Sequence, residues 1–332
     1  MRELQRRRDF TVARVTELRA ALSESDEIAE GKACVYATGS YGRCEASAYS
    51  DLDVFIVAKV RRDEQGELVS QLSRLEEICL KADLIKTSER MGFPPFSKDG
   101  HYLVRYTVHD FIKSLGKPED DFTNRFTARL LLLLESCSLI GGNVYQEAAD
   151  EVIAAYWPEY EQHSDHFRPA YLANDILRLW RTFCVNYEAY TDREPDDKRA
   201  KRKVQNYKLK HSRLMTCYSA ILYLLFIYRK NGTVTPKDAM HMFRTSPTHR
   251  IEEMAAHPYL EGDASKILAE LLAQYDQFLI ATNVNEEELK QKFLNGEQSR
   301  QLKDASTVFG DLMFDALKII GNGSPFHRML VV

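Results

Sequence analysis

Thr38-Gly39-Ser40-Tyr41-Gly42-Arg43-Cys44-Glu45-Ala46-Ser47-Ala48-Tyr49-Ser50-Asp51-Leu52-Asp53-Val54-Phe55 is the stretch from which the rest of the chain is read. A short apolar run, Ala33-Cys34-Val35-Tyr36-Ala37, leads into its Gly39-Ser40 turn, and a second, Val54-Phe55-Ile56-Val57, follows its acidic end. Both runs read as strands. In a strand, residues i and i+2 point to the same face, so Asp51 and Asp53 are expected side by side. Either element alone is commonplace, because Asp-x-Asp usually marks a solvated strand end and Gly-Ser a surface turn. The conjunction is what matters. Paired carboxylates facing a Gly-Ser turn suit a magnesium–triphosphate group, since Mg²⁺ takes hard oxygen ligands from one or two carboxylates plus substrate phosphates.

This stretch resembles the DNA polymerase β-type nucleotidyltransferase superfamily, whose pattern is Gly-Ser, a spacer, then Asp-x-Asp. It is closer still to the nucleotidyltransferase domain of bacterial nitrogen-regulatory-protein uridylyltransferases and their relatives. Ser40-Tyr41-Gly42-Arg43-Cys44-Glu45 and Ser50-Asp51-Leu52-Asp53 carry that likeness, with Cys44 where the branch usually has glycine. A weaker echo lies at Leu131 to Gly141. The resemblance implies Asp51 and Asp53 as catalytic and metal-holding residues, with Mg²⁺ or Mn²⁺ and an NTP as the bound species. Gly39 and Ser40 would donate to phosphates, and Arg43 would support the turn or the triphosphate.

Bulk properties bound the rest. At 332 residues, two domains are the default. The 44% hydrophobic and 28% charged composition is that of a globular chain. A net charge of −4 gives no global signal for nucleic acid or membrane. No apolar stretch has the length of a membrane span, and the first residues lack the apolar core of a secretory signal. The six cysteines include no Cys-x-x-Cys pair. A cytoplasmic protein with buried, reduced thiols is the simplest expectation.

The fold class expected is an α/β amino-terminal domain, a small mixed sheet with helices, followed by an all-α carboxy-terminal domain. The amino-terminal part should hold an amphipathic helix over 3–23 with Phe10, Val12, Val15, Leu18 and Leu22 on its apolar face. A short helix near 41–47 and a polar turn from Arg61 to Gly66 follow. A second helix is marked by Leu68, Leu72, Leu75, Ile78 and Cys79, and a third strand by His101 to Val108. The boundary is placed near residue 118, giving 1–118 and 119–332. Seven or eight helices are expected in the second part, with a frayed end at Gly321 to Pro325.

Beyond the motif, Lys208 and Ser212 are i,i+4 neighbours on a predicted helix. In the superfamily a lysine and serine of the helical domain often grip the triphosphate tail, which the resemblance implies here. Otherwise this is a solvated basic helix start. Lys210 would point away from Lys208. Arg178 and Arg181 share a face of the helix from Tyr171 to Tyr190 and would line a nucleotide cleft, or pair with Asp175 or Glu188. The run from Lys198 to Lys203 is either a solvated loop or an RNA contact. The third strand carries no acid, so Asp99 or Asp110 is the nearest source of a third carboxylate.

The expected function is transfer of an NMP from an NTP to an acceptor hydroxyl, with release of pyrophosphate. The acceptor is a protein, a tRNA end or a small molecule, and the oligomeric state stays open. One alternative is a cyclic or linear oligonucleotide synthase of bacterial antiviral signalling. Another is an inactive nucleotide-sensing or protein-binding module.

Overall fold

The computed structural model describes residues 1–96, 100, 103–188 and 196–331. Its contacts divide into two compact units, Arg6–Pro158 and Met1–Gln5 with Glu159–Val332. The division therefore lies well past residue 118, for a reason found in the sheet.

The first unit takes in helix α1 (Arg2–Ala21) from Arg6 onward and then α2 (Ser23–Ala29). Val15, Leu18 and Leu22 are buried as expected, but Val12 is exposed. Strand β1 (Ala33–Ala37) then runs through the core with every residue buried. The one-turn helix α3 (Gly39–Gly42) follows it, in place of the expected helix over 41–47. Strand β2 (Val54–Ala58) returns antiparallel to β1, with Ala37 opposite Val54. The strand starts after Asp53 rather than at Asp51. Leu52 is nevertheless buried between exposed Asp51 and Asp53, so the period-two reading of the pair holds.

The next segment departs from expectation. Val60–Arg62 (β3) and Leu68–Ser70 (β4) form a hairpin, closed by Asp63 Oδ1 accepting from the amides of Gln65 and Glu67. Helix α4 (Arg74–Arg90) begins only after it, at a Ser73/Glu76 capping box. Its buried face is Leu80, Leu84, Thr87 and Ser88, so Leu75, Ile78 and Cys79 are not core residues. The expected third strand shortens to β5 (Arg105–Thr107), parallel to β2. His101 and Tyr102 lie outside the described residues. Thr107 and Asp110 form a second capping box that turns the chain into α5 (Val108–Lys113).

Helices α6 (Glu119–Phe122) and α7 (Arg125–Leu134) lead to β6 (Cys137–Ile140), and α8 (Gly142–Tyr156) completes the unit. The strand β6 lies where helix was expected, at the end of the Leu131–Gly141 echo. It pairs antiparallel with β1, giving a mixed sheet in the order β5-β2-β1-β6. Tyr36 Oη donates to Ala128 O at 2.9 Å, and the fully buried Arg129 makes two bonds to Asp120, at 2.7 and 2.6 Å. A cut at 118 would separate β6 from β1, Tyr36 from Ala128 and Arg129 from the Phe111 carbonyl, which is why the unit runs on to Pro158.

The second unit is helical. It comprises α9 (Ala170–Glu188), α10 (Asp196–Lys208), α11 (Leu214–Asn231), α12 (Pro236–Arg244), α13 (Pro247–Ala255), α14 (Asp263–Ala281), α15 (Glu286–Leu294), α16 (Gly296–Gly321) and α17 (Pro325–Met329). A π-helical turn, Leu209–Arg213, joins α10 to α11. At helical spacing along α9, Leu172, Ile176 and Leu179 are fully buried and Phe183 is half-buried. The expected frayed end is instead ordered by Ser324, which caps α17. No helix among the described residues is long and apolar enough to cross a membrane. All six cysteines are free, but only Cys34 and Cys217 are buried as expected; Cys44, Cys137 and Cys184 are half-buried and Cys79 is exposed.

Candidate active site

The β1–β2 hairpin brings the two halves of the motif together. Thr38 N–H donates to Asp53 O at 2.9 Å, carrying the ladder one step past the strands. Gly39 therefore starts its turn directly opposite Asp53. Its φ of +65° is a left-handed conformation that glycine adopts without steric cost. A Cβ built on Gly39 would lie 3.1 Å from Asp53 Oδ2. The missing side chain thus leaves a small hollow between the turn and the carboxylate. Asp51 and Asp53 are both exposed at this edge, and Ser40 is half-buried beside them.

The turn is held from below by a residue that motif reading missed. Glu135, between α7 and β6, is almost completely buried. Its Oε1 accepts from Gly39 N–H at 3.2 Å and its Oε2 from Arg43 Nη1 at 2.7 Å. Arg43 Nε donates to Glu45 Oε1 at 2.6 Å. Arg43 is therefore a buried clamp for the turn, and the Gly39 amide is directed at Glu135 rather than at a phosphate. This narrows the expectation for both residues. The peptide carbonyl of Glu135 also approaches Gly42 so closely that a Cβ there would sit 2.1 Å from it. Burial of a carboxylate–guanidinium cluster is costly unless geometry and hydrogen bonding are good, and here several short bonds satisfy it. The only sequence hint of Glu135 was an acid inside the Leu131–Gly141 echo.

Cys44 occupies φ +60°, which accounts for the glycine usual at that position. Burial raises its thiol pKa, so it lacks the character of an activated nucleophile. Beside the turn, a cleft of about 320 Å³ is lined by residues including Phe10, Arg14, Tyr41, Ser50 and Phe93. Arg14 lies 4.8 Å from the Phe93 ring centre, and Tyr41 meets Phe93 edge-on at 5.6 Å. Burial pushes the Tyr41 hydroxyl up to about 12.

The third-carboxylate candidates fare differently. In the parallel pair, Ile56 faces Arg105 and Ala58 faces Thr107. Asp110 therefore lies beyond the end of β2 farthest from Asp53. Its Oδ2 accepts from Thr107 N–H and Oγ1, and its Oδ1 meets Arg125 at 3.1 Å. It is a helix cap. Asp99 lies outside the described residues.

The remaining candidates belong to the helical unit. Lys208 ends α10 and Lys210 sits in the π turn, both exposed, whereas Ser212 is buried. The two residues of the i,i+4 pair thus differ in exposure, Lys208 in solvent and Ser212 not. Arg178 Nη1 donates to Asp175 Oδ1 at 3.3 Å, the ion pair weighed from sequence. For Lys208 and Ser212 the assignment to a triphosphate comes from the resemblance, and for Arg178 from the helix face it shares with Arg181.

Comparison with known families bears on the edge that carries Asp51 and Asp53. Residues 15–113 match the nucleotidyltransferase domain. No curated protein and no solved structure matches the chain. The mixed sheet with flanking helices fits the nucleotidyltransferase domain, and the helical region follows it. Among the described residues no cluster of three or more His, Cys, Asp or Glu forms a preset metal site. Two carboxylates beside a side-chain-free hollow still fit a cation that arrives with phosphates, because such a cation completes its shell from substrate oxygens. The match ends before Glu135, so the turn's support lies outside the matched segment.

Proposed function

We propose that the chain transfers a nucleoside monophosphate from an NTP to an acceptor hydroxyl, releasing pyrophosphate. The observation that carries this reading is the juxtaposition of Asp53 with the side-chain-free Gly39 turn at the end of the β1–β2 hairpin. Asp51 and Asp53 would hold Mg²⁺, or Mn²⁺, which supplies charge neutralisation and orientation of the phosphates when bound. Gly39 leaves room for the triphosphate against Asp53, and Ser40 offers it hydrogen bonds. Glu135 and Arg43 keep the turn from shifting. The acceptor oxygen forms a bond to the α-phosphorus, and the bond from that phosphorus to the β-phosphate oxygen breaks. The bonding pair leaves with pyrophosphate, and the acceptor proton passes to solvent or to an aspartate oxygen. The stretch Ser40-Tyr41-Gly42-Arg43-Cys44-Glu45 supports the uridylyltransferase-like branch, with a protein hydroxyl as the first acceptor to test.

Asp51→Ala combined with Asp53→Ala is expected to abolish transfer from α-labelled NTP while leaving the circular dichroism melt unchanged. Retained transfer by a folded double variant refutes the reading. A second reading has one observation in its favour. Asp110, the only described candidate for a third acid, sits at the wrong end of β2. A nucleotide-sensing module would bind NTP by calorimetry and release no pyrophosphate with any acceptor fraction.

A further inference from the structure

Helix α4 has two apolar faces, and only one of them is used by the fold. The used face is Leu80, Leu84, Thr87 and Ser88. On the opposite side Leu75, Ile78 and Ile85 are 75%, 53% and 38% exposed. Ala82 lies between them, half-buried. At 100° per residue, Leu75, Ile78, Ala82 and Ile85 fall within one narrow sector, spaced three, four and three residues apart. That is the a–d–a–d spacing of a coiled-coil seam. A surface helix ordinarily shows one apolar stripe and a polar outer face, so a second ordered seam in water calls for a partner.

Charge decides which partner. The seam is bordered by Arg74 and Lys81 on one side and by Lys86 and Arg90 on the other. Lys81 is already matched by Glu77 Oε1 at 2.5 Å, while Arg74, Lys86 and Arg90 are exposed. Flanking positions of a helix pair meet each other across the seam and set partner choice. A second copy of α4 would bring Arg74 and Lys86 of one chain against the basic borders of the other, whichever way it ran. Glu89 takes the next position of the seam after Ile85 and, being exposed and charged, ends its apolar stretch there.

We propose that the exposed face of α4 is a docking surface for an acidic amphipathic helix of another protein. Apolar residues spaced three and four apart in the partner would fill the seam between Leu75 and Ile85. Its flanking glutamates or aspartates would meet Arg74, Lys86 and Arg90.

The test uses the full chain and two labelled helical peptides of three heptads. Both carry Leu at a and d, and one has Glu at e and g where the other has Lys. In fluorescence anisotropy at low salt the Glu peptide is expected to bind about tenfold or more tightly than the Lys peptide, a difference near 1.4 kcal/mol. Ile78→Asp should abolish its binding. Arg74→Glu with Lys86→Glu, which leaves the apolar seam intact, should reverse the peptide preference. Equal affinity for the two peptides, no binding of the Glu peptide, or an unchanged preference in the charge-reversed variant overturns the proposal. So does sedimentation showing a dimer of the wild-type chain that Ile78→Asp dissociates, since the occupant would then be a second copy.

Discussion

At Cys44 a side chain sits where the backbone favours none. A non-glycine residue at φ +60° costs about 1–2 kcal/mol, whereas glycine adds about 0.5–1 kcal/mol of unfolded-chain entropy. Cys44→Gly should therefore stabilise the chain by about 0.5–1 kcal/mol, read as a raised urea midpoint with an unchanged slope. Gly42 presents the opposite case. An added Cβ would meet the Glu135 carbonyl oxygen at 2.1 Å, and neither backbone can yield alone. Gly42→Ala should cost about 1–3 kcal/mol by overpacking, and should raise the KM for NTP by moving the turn. At Gly39 the nearest atom is the Asp53 carboxylate at 3.1 Å, so Gly39→Ala should impair transfer more than it impairs folding.

Two buried polar arrangements give the elements their energetics. Arg129 is fully buried, and it ties α7 to Asp120, Phe111 O and Tyr156 Oη. Arg129→Met alone should cost about 3–5 kcal/mol, because it strands the buried Asp120 carboxylate. Adding Asp120→Leu should recover most of that loss in the same denaturation assay, since a packed apolar pair replaces a buried ionic one. In the helical unit the π turn tucks His211 between the rings of Phe278 and Phe309, at 4.5 and 4.9 Å. Its Nδ1 donates to Tyr207 O at 2.9 Å, and burial lowers its pKa to about 4. The unfolded chain then binds the extra proton first as pH falls from 6.5 towards 4. Stability from this group is complete above pH 6.5 and is lost as pH drops through that window, by up to about 3 kcal/mol. His211→Phe should flatten that part of the pH–stability curve.

On the scale of the molecule, what was legible in the sequence followed one rule. Where chemistry is local, spacing was enough. The Gly39–Ser40 turn, the paired aspartates, β1, β2 and the buried stripe of α9 all follow from residues near one another in the chain. Where a tertiary contact decides, spacing misled. The strand β6 looked helical because Leu131 to Leu134 continue into it without a breaker, and only pairing with β1 makes it a strand. Arg43 is clamped by Glu45 nearby and by Glu135, and the second of these lies 92 residues away, beyond the reach of motif spacing. The apolar residues that mark α4 in the sequence begin at Leu68, but the Ser73/Glu76 cap starts the helix later, and Leu80 and Leu84 are the leucines it buries.

The reach of Glu135 into the turn has a practical consequence for anyone dissecting this chain. A clone trimmed to the recognisable segment would keep both aspartates and still lose the latch beneath them. The Gly39 amide and the Arg43 guanidinium would each be left without the carboxylate that seats them. Such a fragment would look intact by motif and be slack where it matters, so an inactive result from it would say nothing about the full chain.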